Sequence, residues 1–404
     1  MRVLLQTFIP QGSQAMGYSS VFSQVVNIVP RTEFEAIVAR HNGDRGVRTL
    51  DCWTWFGALL FGQMSGHDSI RAIERLFAHK DPQMQKLGFG PVRRSTLADA
   101  NMVRPVAVLE DLFQYCLRRA YEYAPKKHRL RFAGDVFAMD STTIELCLHL
   151  CPWARFHHEK TGKGATKLHT AIDIANDLPQ FAVMTDGRTH DIRVARDQIL
   201  KQFHKGDTVV IDRGYVNYDF MNTMNLAGIF FVVRAKSNCR FKVVESKTTN
   251  RTQGIMADQT IYLNSIKGGD YQGTLRRVSF REPDTGKWLV FLTNRMDLSA
   301  KTICAIYKAR WDVELFFKTL KQNLRIKKFL GNTLNAVKSQ ILVALIAYLL
   351  VQTLRYSLKT SISITDAIAV LGTLLLLKEP ISRLLGDLPR VTRHPPPLQL
   401  ALPL

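Results

Sequence analysis

The sequence predicts an α/β protein whose core carries a β-rich insertion and follows an all-helical N-terminal domain. Three observations predict it. Apolar residues recur at helical spacing from residue 21 to 124. Beyond the basic stretch 125–131 the pattern changes to short apolar runs that end in carboxylates, at Asp140 and again at Asp212. Residues 238–294 are rich in Thr, Val, Gly and Lys, with strand-like alternation. The expected division is a loose extension over 1–20, the helical domain over 21–124, a core built from 132–237 and 295–378, the insertion 238–294, and a disordered tail over 379–404.

Residues 1–20 show little periodicity. In the helical domain Phe34, Ile37 and Val38 follow Thr32, an apolar block spans 53–61, and Ile70, Ile73, Leu76 and Phe77 follow Ser65. Ser65 with Asp68, and Thr96 with Asp99, read as capping boxes at helix starts. The second start also carries Arg93, Arg94 and Ser95, where outward-facing backbone N–H groups and two cations suit a phosphate or a base edge. In the core, 136–142, 167–174, 180–184, 207–211 and 229–233 read as strands, with a turn at Asn176, Asp177, Leu178 and Pro179, while 192–203 and 218–226 read as helical. Alternation over 241–244 and 273–278 and the run 288–294 give strands to the insertion. Helices follow at 307–321, 336–356 and 364–377, and a proline run at 395–397 lies in the tail. The apolar run 341–354 is about 14 residues, short of the roughly 20 that a bilayer span needs, and reads as a buried helix.

With 404 residues, 46% hydrophobic and 22% charged, the chain can bury a large core. Its formal charge of +21 and pI near 9.9 exceed what solubility needs. They point to a polyanionic partner, nucleic acid ahead of an anionic membrane surface. The charge is spread over folded segments and not gathered in a tail, so a broad surface wraps the partner, and the helical domain reads as DNA-binding. Six scattered cysteines fit the reduced thiols of a cytoplasmic protein better than a disulfide framework, and the N-terminus shows no export signal.

Residues 307–321 organise the rest. As one helix they place Tyr307, Arg310, Glu314 and Lys321 within an arc of about 60°. Ile306, Val313, Phe317 and Leu320 form the stripe beside it that packs on a sheet. A phenol, two cations and a carboxylate thus share one face at the rim of a core. The strands ending at Asp140 and Asp212 are candidates for neighbours in a parallel sheet, with the helix crossing their ends to add Glu314. Three hard oxygen ligands suit Mg²⁺ or Mn²⁺. Two such ions about 3.5–4 Å apart would activate an attacking water or 3′-hydroxyl and stabilise the leaving oxygen of a phosphodiester. Asp135, Glu145, Asp173, Asp186 and Asp191 compete for these places, and spacing alone leaves the choice open.

Tyr307, Arg310, Glu314 and Lys321, separated by two, three and six residues, form a complete Tyr-Arg-Glu-Lys signature. On it the chain resembles the DDE-type bacterial insertion-sequence transposases, in the signature-bearing branch of insertion sequence family four. Residues 138–142 around Asp140, 212–215 after Asp212, 21–24 and 94–101 are similar to that family as well. The resemblance implies a ribonuclease-H-like catalytic core with the insertion between the second and third acidic residues. It makes Asp140, Asp212 and Glu314 the catalytic, metal-holding triad, with two Mg²⁺ (or Mn²⁺) ions per site. It sets Tyr307, Arg310 and Lys321 on phosphates, and makes Trp288 and Trp311 candidates to stack on a flipped base, as an aromatic residue does in relatives that resolve a DNA hairpin. Further DNA contacts are expected at Arg213, Lys163 and Lys167, with His169 near the acidic site. The implied partners are double-stranded DNA, as element ends and as target, and a second copy in a synaptic homodimer, with no membrane. Family members begin close to residue 21, so residues 1–14 are expected to be an upstream extension and Met16 a start.

Rival chemistries are thin. Cys147, His149 and Cys151 with His157 and His158 offer zinc-binding side chains at a spacing that matches no common finger. Gly162, Lys163 and Gly164 lack the upstream glycine and following hydroxyl of a phosphate loop, and no nucleophile elbow supports a serine hydrolase. Rival functions are a DNA-binding protein derived from a decayed transposase, and a nuclease of the same fold that cuts without joining.

Overall fold

The computed structural model describes residues 19–67, 69–78, 82–125, 135–154, 163–264, 271–326 and 328–386. The N-terminal part is helical throughout: α1 (Val21–Val26), α2 (Arg31–Arg40), α3 (Cys52–Ser65), α4 (Ile70–Ala78), α5 (Pro82–Lys86), α6 (Arg94–Val103) and α7 (Val106–Tyr123). The apolar block 53–61 makes α3 hydrophobic all round, and α3 is accordingly buried on every side. It starts under the Asp51 carboxylate, which accepts the Thr54 amide at 2.7 Å, and stops at Gly66 in the left-handed region.

Both expected capping boxes give way to other partners. Ser65 closes α3 and donates back to the Phe61 carbonyl at 2.6 Å; α4 is capped by the Ser69 hydroxyl, which accepts the Ala72 amide at 3.1 Å. Asp68 lies outside the described residues. Thr96 falls inside α6, whose first amide, that of Arg94, donates to Glu74 on α4 at 2.8 Å. A carboxylate from a neighbouring helix thus does the work assigned to a local hydroxyl.

The core follows as β1 (Val136–Cys147), β2 (Lys163–Asp173), β3 (Leu178–Pro179), β4 (Val183–Asp186), α8 (Asp191–Val194), β5 (Thr208–Ile211), α9 (Tyr218–Leu226) and β6 (Phe230–Arg234). Within the expected helix 192–203, α8 passes into a wide turn over Ala195–Ile199 and a tight one over Leu200–Gln202. The insertion supplies β7 (Phe241–Ser246), β8 (Ile255–Leu263), β9 (Leu275–Arg281) and β10 (Trp288–Thr293). Then come α10 (Ala300–Lys308), α11 (Trp311–Gln322), α12 (Leu334–Ser357), α13 (Ile364–Thr373) and α14 (Ile381–Gly386).

Among the described residues all strands join one sheet, in the order β3-β2-β1-β5-β6-β10-β9-β8-β7 with β4 also on β2. The pairs β1/β5 and β5/β6 are parallel and the others antiparallel. The insertion therefore extends the core sheet through β10 on β6. A buried ion pair and a buried hydrogen bond fix that extension: Arg276 forks onto Asp258 at 2.8 and 2.7 Å, and Arg295, stacked 4.4 Å over the Phe230 ring, donates to the Thr208 hydroxyl on β5 at 2.6 Å.

Two cores flank the sheet. One lies against α9, the 192–203 segment and the Phe137/Met139 face of β1. The larger one joins the opposite face of β1 and β2 to α11, α12, α13 and the N-terminal helices. α12 runs through its middle against α3, α6, α7 and α13. It is apolar and long enough for a bilayer span by composition, yet 83% of its most apolar stretch is buried inside the protein, as expected for a core helix. The start of α1 also meets the segment after α13 directly, for the amides of Val21 and Phe22 donate to the carbonyls of Leu377 and Leu375 at 2.9 and 2.8 Å.

The expected helix 307–321 is two helices. α10 ends at Lys308, and the amides of Arg310, Asp312 and Val313 reach back only three residues, to Tyr307, Ala309 and Arg310. These tight closures interrupt the α-helical ladder between the two helices. Tyr307 thus lies in the last turn of α10, Arg310 in the break between the helices, and Glu314 and Lys321 in the first and last turns of α11. The expected apolar stripe survives the break, with Ile306, Val313, Phe317 and Leu320 all buried.

Candidate active site

β1 and β5 pair in parallel from Val136↔Thr208 to Ala138↔Val210. Asp140 and Asp212 each stand two residues beyond the last pair, at the same height on adjacent strands. β1 does not end there: β2 continues to pair it as far as Cys147, so Asp140 sits mid-strand where β5 departs on its other side. Side chains alternate along β1, which puts Asp140 on the face of Ala138 and Ile144, the face that packs against α11. The Ser141 amide donates to one Asp140 oxygen at 2.8 Å.

α11 presents Glu314 at this edge because Val313, Phe317 and Leu320 anchor its inner stripe in the core. Arg310 joins the acids. Its Nη1 lies 3.5 Å from Asp140 Oδ2 and its Nη2 donates to Glu314 Oε1, with 15% of the Arg310 side chain exposed against 22% for Asp140 and 35% for Glu314. The Tyr307 ring packs 4.6 Å from Phe291, with the Arg310 guanidinium 5.9 Å from its centroid.

Burial pushes the Asp140 carboxyl up to about 6; the Ser141 amide and Arg310 oppose the rise, and the Asp212 and Glu314 charges add to it. Burial works against the Arg310 charge, but Glu314, Tyr307 and Asp140 outweigh it and hold the guanidinium protonated. The Tyr307 phenol is raised by burial, with Asp212 contributing. These groups sense one another. Even so, among the described residues no three His, Cys, Asp or Glu side chains close to metal-holding distance. Asp140 and Glu314 meet on the Arg310 guanidinium, and the zinc reading finds no cluster among the described residues. Cys147 is exposed at the end of β1, Cys151 is buried, and His157 and His158 lie outside the described residues.

The other expected contacts divide. Arg93, Arg94 and Ser95 are exposed at the start of α6, and Arg213 is exposed beside Asp212. Trp288 and Trp311 are 55% and 58% exposed, free of the core. Lys321 is half-buried in the last turn of α11. Lys163 opens β2, and its side chain is outside the described residues. Two assignments change. Lys167 is committed to an internal ion pair, its Nζ 3.0 Å from both Asp191 Oδ1 and the Thr189 carbonyl. His169 is 0% exposed and meets the Thr185 hydroxyl at 3.0 Å, so it cannot touch DNA from the surface. β4 pairs with β2 at that point; its Thr185 takes the His169 ring, and Thr189 and Asp191 just beyond it take Lys167.

A basic cavity of about 250 Å³ reaches Arg213, the residue after Asp212, and is lined further by Arg234, Lys236, Arg277, Phe241 and Trp288 among others. Arg277 stacks 4.7 Å over Phe241, and Lys236 donates to the Val216 carbonyl at 3.0 Å. Arg234 is near enough to Tyr307 to draw its phenol down. Sequence reasoning missed Arg234, Lys236 and Arg277. Their meeting depends on β9 and β10 returning beside β6, which no local pattern announces.

An acidic cluster at a strand edge, a basic cavity beside it and a charge of +21 together define an enzyme of nucleic-acid phosphoryl transfer. The comparisons give the family. The "Transposase DDE domain" model matches residues 131–350, and a domain of unknown function matches residues 18–90. "Putative transposase y4zB" of Sinorhizobium fredii is 34% identical over 260 residues, 63% of this chain and 70% of that one. "Probable transposase for insertion sequence element IS5377" of Geobacillus stearothermophilus is 32% identical over 229 residues, 56% of this chain and 58% of that one. A solved piggyBac transposase synaptic complex with hairpin DNA overlaps at a TM-score of 0.42 and 12% identity, over 92% of this chain and 82% of that one, too distant to assign residues. The chain belongs to the transposase DDE-domain family and is a DNA transposase. Membership implies dependence on a divalent metal.

Proposed function

We propose that the chain binds the terminal inverted repeats of its own element, cleaves the ends through Asp140, Asp212 and Glu314, and joins the 3′-hydroxyls to target DNA. The observation that carries this is the meeting of Asp140 and Glu314 on one guanidinium, with Asp212 at the same height on the next strand. The donor set fits two Mg²⁺ (or Mn²⁺) ions: the three groups are hard carboxylates, and two of them already draw a cation between them. When bound, the ions supply Lewis-acid activation of the attacking oxygen and stabilisation of the leaving one.

The chain's own residues do the positioning. The Ser141 amide fixes one Asp140 oxygen and leaves the other toward the site. Arg310, Tyr307 and Lys321 hold phosphates at the cut end, contacts that orient without reading sequence. Arg213, Arg234, Lys236 and Arg277 take the flanking backbone, and Trp288, exposed at the rim of their cavity, offers a face for an unpaired base, with Trp311 a second such face on α11. Arg93, Arg94 and Ser95, with the other N-terminal helices, engage the element end, and Lys163 meets its backbone. The catalytic core is read as ribonuclease-H-like, and two copies acting in the cytoplasm pair the two ends.

Asp140→Asn, Asp212→Asn and Glu314→Gln are each expected to abolish cleavage of an element-end duplex while leaving end binding largely intact in a gel-shift assay. Full cleavage by one of them would remove that residue from the site. Cuts without joined products in the wild type would favour a nuclease.

A further inference from the structure

The acids at the active-site edge are not left to repel one another. Arg310 spans Asp140 and Glu314 with one nitrogen on each, and it does so from the break between α10 and α11, with only 15% of its side chain exposed. A buried guanidinium cannot leave two carboxylates uncompensated without a replacement, because stripping one partner from a desolvated pair costs far more than forming it gains. Two replacements are chemically apt, a metal ion for the carboxylates and a phosphate for the guanidinium, whose planar fork binds phosphate in the same bidentate manner as carboxylate.

We propose that Arg310 is a positioning residue that stands in for the metal in the DNA-free protein and is drawn off by a DNA phosphate, so that cation loading of the acidic site waits for DNA. The proposal rests on the reading of Asp140 and Glu314 as metal-holding groups. The groups facing Arg310 are consistent with an exchange: Asp140 on β1, Glu314 on α11 and Tyr307 on α10 surround it. Asp212 and Arg234 lie close enough to Tyr307 to be felt there. Arg234 and Arg213 line the adjoining basic cavity, through which a strand's phosphates would approach. The order of events protects DNA-free protein from carrying a loaded cutting site.

The test measures Mn²⁺ binding to the full chain, from the free-ion electron spin resonance signal, with and without a duplex taken from the end of the element that encodes the chain. Arg310→Met is expected to bind Mn²⁺ about tenfold more tightly than wild type without DNA, since a positive charge has left the acids' side. Arg310→Lys should give an intermediate affinity, because it keeps the charge but not the fork. The wild type should gain Mn²⁺ affinity on adding the duplex, and Arg310→Met should gain much less. Equal Mn²⁺ affinity of wild type and Arg310→Met without DNA, in proteins with matching thermal melts, overturns the exchange. Asp140→Asn separates the two ideas. If it removes Mn²⁺ binding while Arg310→Met changes nothing, the site reading stands and the exchange fails. If Mn²⁺ binding ignores Asp140, the site reading itself fails, and the exchange with it.

Discussion

Asp140 and His169 belong to adjacent rungs of the β1/β2 ladder, Asp140↔Thr170 and Ser141↔His169, and so point to opposite faces of the sheet. Burial drives both toward their neutral forms by opposite routes, the carboxyl up to about 6 and the imidazole down to about 4. For His169 burial comes first, Asp191 opposes it and Lys167 assists. A histidine depressed from 6.5 contributes stability that is fully present above that value and lost as the pH falls through about 4. The contribution is of order 3 kcal/mol. His169→Gln is therefore expected to flatten the loss of thermal stability between pH 6.5 and 4, read as melting temperature against pH; an unchanged profile would mean that the imidazole is not buried neutral. At this scale the meeting of Arg310 with Glu314 is legible, because the two stand four residues apart. The burial of His169 and the engagement of Lys167 are not, because both depend on β4 and the segment after it, to Asp191, returning beside β2.

α12 shows what an element owes to its sequence. It runs from Leu334 to Ser357 without a glycine or proline, and its first turn is capped by the Thr333 hydroxyl, which accepts the Ala336 amide at 3.2 Å. Thr333→Ala is expected to lower stability by about 1 kcal/mol in urea denaturation with little change in DNA cleavage; a neutral result would assign the cap to backbone and solvent. The length of its apolar run makes this helix readable in the amino-acid sequence. The break between α10 and α11 leaves no such trace: Ala309 and Arg310 keep right-handed helical dihedrals, and the turn shows only in which carbonyl each amide reaches. The capping boxes mislead for the opposite reason. Hydroxyl and acid pairs at that spacing are common, and the groups actually used come from Ser69 and from Glu74 on a neighbouring helix.

Across the whole molecule, one core joins residues from Val21 to Leu385, with α12 as the post around which α1, α3, α6, α7 and α13 gather. Tyrosines tie the same helices to the sheet: Tyr121 on α7 donates to Asp173 at 3.0 Å, and Tyr348 on α12 to the Asp177 carbonyl at 2.9 Å. The N-terminal helices thus fold on a surface supplied from far downstream. A fragment of residues 1–124 is expected to lack cooperative melting, while the full chain unfolds with α3 and α12 in one transition; a fragment with its own sharp transition would show an independent domain. The helical content of that region is legible in its periodicity, but its dependence on α12 is not, because pattern reveals a buried face without naming what buries it.

That dependence has a consequence for the gene. Mobile elements leave damaged copies behind, and a copy truncated before Leu334 would encode the N-terminal helices without the helix they assemble on. Its product would remain unfolded and fall to proteolysis. Truncated copies would therefore add no inert competitor for the element's ends, and an intact copy would keep its access to DNA however many broken relatives surround it.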